Sequence, residues 1–334
     1  MDTQKNTQAL CFFEQEFAKK HNAFFSLKDW DKQGDFWTVP TNLSHDVYVF
    51  DSITSTLDKA HELSREREMH AFTTILCQKQ LSGRGQLRRK WESLQDNLYT
   101  AIVLPNTYPF NSEAAAPAFG AIAANALEKL GFAVELKWPN DIVQKTAHGY
   151  EKVGGILLEE RNNTLVAGMG INVFSAPPND LLRENFYISA GKLQNFSMPD
   201  RQRGFYNYFN NSLFCSAQKN PENSFQYADK IEEIDKIFII SGFCFALVKE
   251  INLWYKKNLI SYNNTAWNSL CKKYLAFLGD TVCIKDALVK DSFYSGDIAR
   301  DVVVGQIVGL GEEGELVLSS ENGIIYIVGG SITK

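Results

Sequence analysis

The sequence predicts a sheet domain of the α/β or α+β class with flanking helices, followed by a small C-terminal β-barrel. Three observations carry this reading. Short β-rich runs alternate with helical stretches between residues 47 and 174. An Ala-rich helical segment, 118–130, ends at Gly131, the residue that most easily adopts the left-handed conformation after a last helical turn. From Phe277 onward the character changes to short apolar runs separated by Gly-containing turns at Glu313-Gly314 and Asn322-Gly323, a pattern that suits a barrel of about 55 residues.

Taken in order, residues 1–45 mix aromatics with charge and show no clear period. Two short helices fit at 8–21 and 27–31. A β run at 47–50 leads to Ser55-Thr56, either of which suits the N-cap of a helix over 57–67. Residues 72–77 and 98–104 read as strands, with a polar, glycine-broken loop at 80–90 between them. Residues 134–136 run into the turn Lys137-Trp138-Pro139-Asn140-Asp141. Strands at 152–159 and 165–174 are joined by a turn at Arg161-Asn162-Asn163. Residues 180–223 are polar and punctuated by proline and asparagine, so loop-rich. Helices are expected at 227–255 and 264–274.

Composition excludes several classes. The 334 residues, 45% hydrophobic and 22% charged, describe an ordinary globular chain with room for two domains. A net charge of −5 gives no support to nucleic-acid binding, although a local basic loop can still hold phosphates. The six cysteines are scattered, without a metal-ligand or disulfide pattern. The N-terminus lacks the basic start and apolar core of a signal peptide. The longest apolar run, 237–248, is too short for a bilayer-spanning helix, which needs about 20 residues. The expectation is a cytoplasmic protein without a membrane or nucleic-acid partner.

Four elements carry chemistry. The loop Gln80-Leu81-Ser82-Gly83-Arg84-Gly85-Gln86-Leu87-Arg88-Arg89-Lys90-Trp91 combines glycines that permit close backbone approach with four cations suited to a polyphosphate, and ends in an aromatic face. The Lys137–Asp141 turn presents an amide and a carboxylate side by side. Lys152 opens an apolar strand beside Gly154 and Gly155, and Gly170-Ile171-Asn172 closes another. Singly, each has an ordinary explanation: a solvated loop, an Asx turn, a strand-end lysine, a β-bulge. Their order and spacing resemble the biotin protein ligases, which carry a Gly-Arg-Gly basic loop ending in Trp, a Lys-Trp-Pro-Asn-Asp turn, a Lys-containing strand and a Gly-Ile-Asn strand. An upstream Ser-Thr pair is matched by Ser55-Thr56. The similarity covers residues 47–174 and the barrel from about 277.

This resemblance implies a catalytic domain like those of class II aminoacyl-tRNA synthetases and biotin ligases: a central mixed or antiparallel sheet flanked by helices, over 46–275. An SH3-like barrel follows over 276–334, and 1–45 is an extension of unassigned role in a class without an N-terminal DNA-binding domain. The implied activity is that of a biotin–[biotin carboxyl-carrier protein] ligase using ATP and Mg²⁺. Biotin would be activated to biotinyl-5′-AMP and passed to a lysine of a carboxylase's carrier domain. The implied biotin-binding residues are Ser55, Thr56, Gln80, Gly83, Arg84, Gly85, Gln86, Lys152, Gly154 and Gly155. Arg89, Trp91, Asn140, Lys152 and Asn172 would hold the nucleotide, Asp141 and Asn172 its metal, and Lys152, Arg84 and Arg89 would act in catalysis. A homodimer is left open.

Three alternatives compete. A lipoate ligase shares the adenylation logic, but its Arg-Arg-x-Ser-Gly-Gly-Gly loop is missing. A degenerate module would bind biotin or its adenylate without efficient transfer. A ligase-repressor needs a winged helix for which 1–45 offers no convincing candidate. Two departures from the family pattern also stand out. Gln86 and Arg88 occupy positions where the family loop has Arg and Gly, and Leu57 follows the Ser-Thr pair where Asn is commoner. Residues 144–151 form a stretch a few residues longer than expected, read as a surface loop extension with His148 solvated. Since the arginine replaced by Gln86 helps to order the family loop, Gln86→Arg is expected to slow release of biotinyl-5′-AMP, as measured by adenylate dissociation; an unchanged off-rate rejects that role.

Overall fold

The computed structural model describes residues 31–33, 36–39, 46–86, 89–94, 97–178, 188–194, 236–258, 266–290 and 296–333. The expected helices at 8–21 and 27–30, and most of the 180–223 segment, lie outside the described residues.

Ten strands make one mixed sheet. Its path runs β1 (Asp31–Gln33), β2 (Phe36–Val39), β3 (Val47–Ile53), β4 (Thr74–Gln80), β5 (Leu98–Val103), β9 (Thr164–Ile171), β8 (Gly149–Arg161), β7 (Asp141–Thr146) and β6 (Glu135–Lys137), with β10 (Ser189–Ala190) added to β8. Among the described strands, only β3–β4 and β8–β10 are parallel pairs. The β1–β2 hairpin pairs onto β3, so a stretch set apart by sequence as an extension joins the sheet, and Asp31 is strand rather than helix. Residues 144–151 also differ from expectation. They continue β7 and β8 as a paired hairpin, with exposed His148 at its tip, because alternating side chains there find cross-strand partners.

Period-two alternation gives the sheet two apolar faces. Helix α1 (Thr56–Glu66) covers one with Leu57, Ala60 and Leu63, against Tyr48, Phe50, Ile75, Tyr99, Ala101 and Val166. The other face carries Val49, Leu76, Leu98, Ile102, Ala167 and Met169. It packs under α2 (Ala115–Lys129), α3 (Lys236–Asn258) and α4 (Ala266–Tyr274). Helix α2 is buried on nearly every side, which its alanines allow. A Cβ on Gly120 would fall 2.6 Å from Leu136 Cδ1. The helix ends as expected: Gly131 takes φ 97°, its N–H bonds the Glu128 carbonyl, and the Phe132 N–H bonds that of Leu127. Among the described residues no helix is long and apolar enough to cross a membrane.

The C-terminal strands β11 (Thr281–Val289), β12 (Ile298–Leu310), β13 (Leu316–Ser320) and β14 (Gly323–Thr333) close into an antiparallel ring, β14 pairing back to β11. The ring docks through its Gly311–Gly314 turn. The Trp138 indole N–H donates to the Gly314 carbonyl at 2.9 Å, out of solvent. Gly314 has φ 86°, and a Cβ there would lie 2.8 Å from Ala114 Cα. Gly314→Ala therefore adds backbone strain to a clash with a backbone atom. It is expected to destabilise the chain by about 2 kcal/mol in urea unfolding, whereas Gly323→Ala, also at positive φ but with open space around it, meets strain alone and loses less.

Candidate active site

Where β4 ends and α1 begins, Ile53 and Gln80 are register partners. Ser55 takes the N-cap position but makes no capping bond with its side chain. Instead the Gln80 carboxamide oxygen accepts from the Thr56 N–H at 2.9 Å and from its hydroxyl at 3.1 Å. An unpaired amide of the first helical turn is thus satisfied from across the chain. The Gln80 amide nitrogen donates to the Ser93 hydroxyl at 3.4 Å. Ser55 and Thr56 are buried, so three of the expected residues are brought together, and Ser93 joins them without any sequence signal.

The loop after Gln80 folds into a narrow ribbon. The Trp91 N–H bonds the Gly83 carbonyl at 2.9 Å, Gly85 N–H bonds that of Arg89 at 2.8 Å, and Arg84 bridges Lys90. Gly83 must be glycine, because a Cβ would lie 2.8 Å from Ser93 Oγ and 3.0 Å from Gln80 Nε2. Trp91 then lies on the sheet above Gly155 and Gly170, which face each other across β8 and β9. A Cβ on either would come within 2.7–2.8 Å of the indole. The sequence reading has Trp91 closing over an adenine; here it rests on this glycine floor, its indole N–H buried without a partner.

Four expected site residues make contacts within the chain or face away from Lys152. Arg84 is turned away from Lys152 and grips two carboxylates. It donates to Asp58 at 2.5 and 2.8 Å and to Glu159 at 2.9 Å twice. Its hydrogen bonds hold both acids below their ordinary ionisation range, and the same hydrogen bonds, to Glu159 first and then Asp58, raise Arg84 further. Gly154 faces the opposite side of the sheet from Gly155, with Ile142 and Ile171 beside it, because successive strand residues point oppositely. Asn140 and Asn172 use their amide nitrogens on backbone carbonyls, Ile156 at 2.6 Å and Gly191 at 2.8 Å. They fix β8 and the 188–194 segment. Gln86 and Arg89 are exposed, Gly85 has open space around it, and Arg88 lies outside the described residues.

Lys152 is delivered by an irregularity. Counting back three residues from Gly155 would put it on the helix-covered face. The β7–β8 register shifts between Ile142, opposite Gly154, and Val143, opposite Lys152, leaving Val153 as an extra residue. Val153 and Gly154 both face the helical core, and Lys152 emerges beside Gly155 with its ammonium 5.5 Å from the Trp91 ring. There it meets Asp141 at 2.6 Å, and Lys137 reaches the other carboxylate oxygen at 3.3 Å. Burial opposes the Asp141 charge, but the two ammonium groups outweigh it and hold the carboxyl below its usual range.

Comparison with known proteins fits this arrangement. Residues 49–175 match the Biotin/lipoate A/B protein ligase family. This segment is matched as a biotin/lipoate ligase domain. The Bifunctional ligase/repressor BirA of Bacillus subtilis is 32% identical over 144 residues, 41% of this chain and 42% of the relative. Its counterpart from Bacillus spizizenii is 32% identical over 137 residues, 39% and 40% of the two chains. The chain thus spans about two-fifths of the length of these curated relatives. Among solved structures, the biotin protein ligase from Aquifex aeolicus in complex with biotin and ATP superposes with a TM-score of 0.54 at 22% identity, covering 87% of this chain and 98% of that one. At that identity the likeness is one of fold.

Beneath Arg84 and Glu159, the ligase domain buries His61. Neither ring nitrogen has a hydrogen-bond partner, and Nε2 stands 4.0 Å from Glu159. Burial first, then the nearby Arg161, lower its affinity for a proton, against the pull of Glu159 and Asp58. Its folded value lies below the ordinary 6.5, so the native state favours neutral imidazole. That contribution to stability is complete above about pH 6.5 and is lost as pH falls through the lower folded value. The depressed carboxylates act in the same direction only below their ordinary 3.8 and 4.5. Urea unfolding between pH 7 and 5 should therefore show a fall in stability that His61→Leu removes, and a fall of equal size in both proteins would exclude His61 as its source.

Proposed function

We propose that this chain is an ATP-dependent biotin protein ligase. The biotin carboxylate attacks the α-phosphorus of ATP, forming an acyl–phosphate bond and releasing pyrophosphate. The ε-amine of an acceptor lysine then attacks the acyl carbon of biotinyl-5′-AMP, forming an amide, losing a proton and releasing AMP. The acceptor is a biotin carrier domain of a carboxylase. The observation that carries this reading is the bulge that brings Lys152 out beside the Gly155–Gly170 floor, on the sheet face that also bears α1 and Trp91.

Each part has a matching task. Thr56, Gln80 and Ser93 offer both donors and acceptors, as the ureido ring of biotin requires. Bringing a carboxylate to a triphosphate forces like charges together. Lys152 is placed to offset that repulsion, and Asp141 holds its ammonium in position until substrate competes for it. Arg89 is an exposed loop cation available to phosphates. Trp91 and the ribbon exclude water from an anhydride that water would hydrolyse.

Among the described residues no cluster of three acidic, His or Cys groups could hold a metal ion, and the Asp141 oxygens already face two lysines. Mg²⁺ fits here as an ion carried in by the triphosphate, with Asp141 its one nearby carboxylate, and it would supply charge neutralisation at the phosphates. Biotin-dependent ATP–pyrophosphate exchange and transfer to a carrier domain test the proposal. Lys152→Ala is expected to lower exchange by roughly 100-fold or more. Exchange missing in the unaltered chain at saturating Mg·ATP would favour a binding module, and near-normal exchange by Lys152→Ala would remove the lysine from its assigned role.

A further inference from the structure

The grip on Arg84 joins three elements, α1, β8 and the ribbon. Asp58 lies in the first turn of α1, two residues beyond Thr56. Glu159 stands on β8, four residues beyond Gly155 on the same face, and Arg161 ties the two acids together at 3.3 and 2.7 Å. Arg84 itself belongs to the ribbon, one residue from Gly83 and directly across from Lys90. Fixing its guanidinium therefore fixes Gly83 against Gln80 and Ser93, and through the ribbon's hydrogen bonds fixes Trp91 on the glycine floor.

We propose that Asp58 and Glu159 are positioning residues that hold Arg84 as a latch, ordering residues 83–86 and 89–91 before any substrate arrives. Two carboxylates balance the two guanidinium groups of Arg84 and Arg161, so Arg84 presents little net charge to a phosphate. Isolated surface ion pairs contribute little, but this one differs in kind. Arg84 and Glu159 are only 24% and 21% exposed, and their paired hydrogen bonds form a network with fixed planar geometry. The latch also couples the two ends of the site: it anchors α1, whose first amide Gln80 accepts, to the strand that bears Lys152. What the ribbon covers rests on the ligase reading; the latch is a property of the ligand-free chain.

The test combines hydrogen exchange with adenylate release, using the whole chain and the near-isosteric variants Asp58→Asn, Glu159→Gln and their double. In the ligand-free double variant, amides of residues 83–86 and 89–91 are expected to exchange about tenfold faster, with α2 and β5 amides unchanged. Release of biotinyl-5′-AMP should quicken by a similar factor, while biotin-dependent pyrophosphate exchange at saturating substrates stays within about twofold. Adding Arg84→Ala to the double should accelerate neither further, since the partners act as one unit. Ribbon amides that exchange at the unaltered rate overturn the latch. So does a rise in exchange shared by the whole sheet, which would mark a purely structural cluster, and so does an additive effect of Arg84→Ala. Failure of the unaltered chain to catalyse biotin-dependent exchange would instead defeat the ligase reading, and the amide measurement then decides the latch alone.

Discussion

Two glycines facing each other on neighbouring strands leave a hollow in an otherwise crowded sheet face, and the arrangement around it follows from that hollow. Gly155 and Gly170 are register partners whose missing side chains let an indole lie against the backbone here. On the same face Gly168 makes way for Leu57, so α1 sits close to β9. The helix thereby brings Thr56 within reach of Gln80 and Asp58 within reach of Arg84. A methyl group on either floor glycine would push the ring, the ribbon and the charges tied to it outward together.

The charge pattern of the site differs from what a count of cations suggests. Of the described basic residues in the ribbon, Arg84 is neutralised by Asp58 and Glu159, Lys90 pairs with Glu92, and Arg89 is exposed. The positive field expected of the loop is therefore concentrated away from Arg84. Beside the floor the charge comes from Lys152 on β8 and Lys137 on β6, which share the Asp141 carboxylate of β7. Two ammonium groups on one acid leave the group net positive, a setting for an incoming anion that does not collapse when none is bound.

Much of this was legible in the chain. Alternation and punctuation placed β3, β4, β5, β8 and β9, the two-asparagine turn between the last two, and the strands of the C-terminal ring; Gly131 marked the end of α2. Ser55, Thr56 and Gln80 were identifiable through the resemblance to the biotin protein ligases, and the fold brings them together. Other features are invisible without coordinates. Asp58 in a first helical turn and Glu159 at a strand end are both ordinary acidic positions, explained by the helix dipole and by solvent. Their shared guanidinium lies 26 and 75 residues away. Ser93 and His61 have no motif at all. Asn140 and Asn172 show the converse: their residue type is right for a ligand, yet each already holds a backbone carbonyl.

The extra residue at Val153 has a consequence of its own. It works as a frameshift written in space rather than in codons: upstream of it β8 points its odd and even positions one way, downstream the other. The lysine's identity and its orientation are thus encoded separately. Exchanging Lys152 alters which charge is present, whereas flattening the bulge while keeping the three-residue spacing from Lys152 to Gly155 would keep the charge and turn it toward the helices. Length in this short stretch is as much a chemical specification as composition.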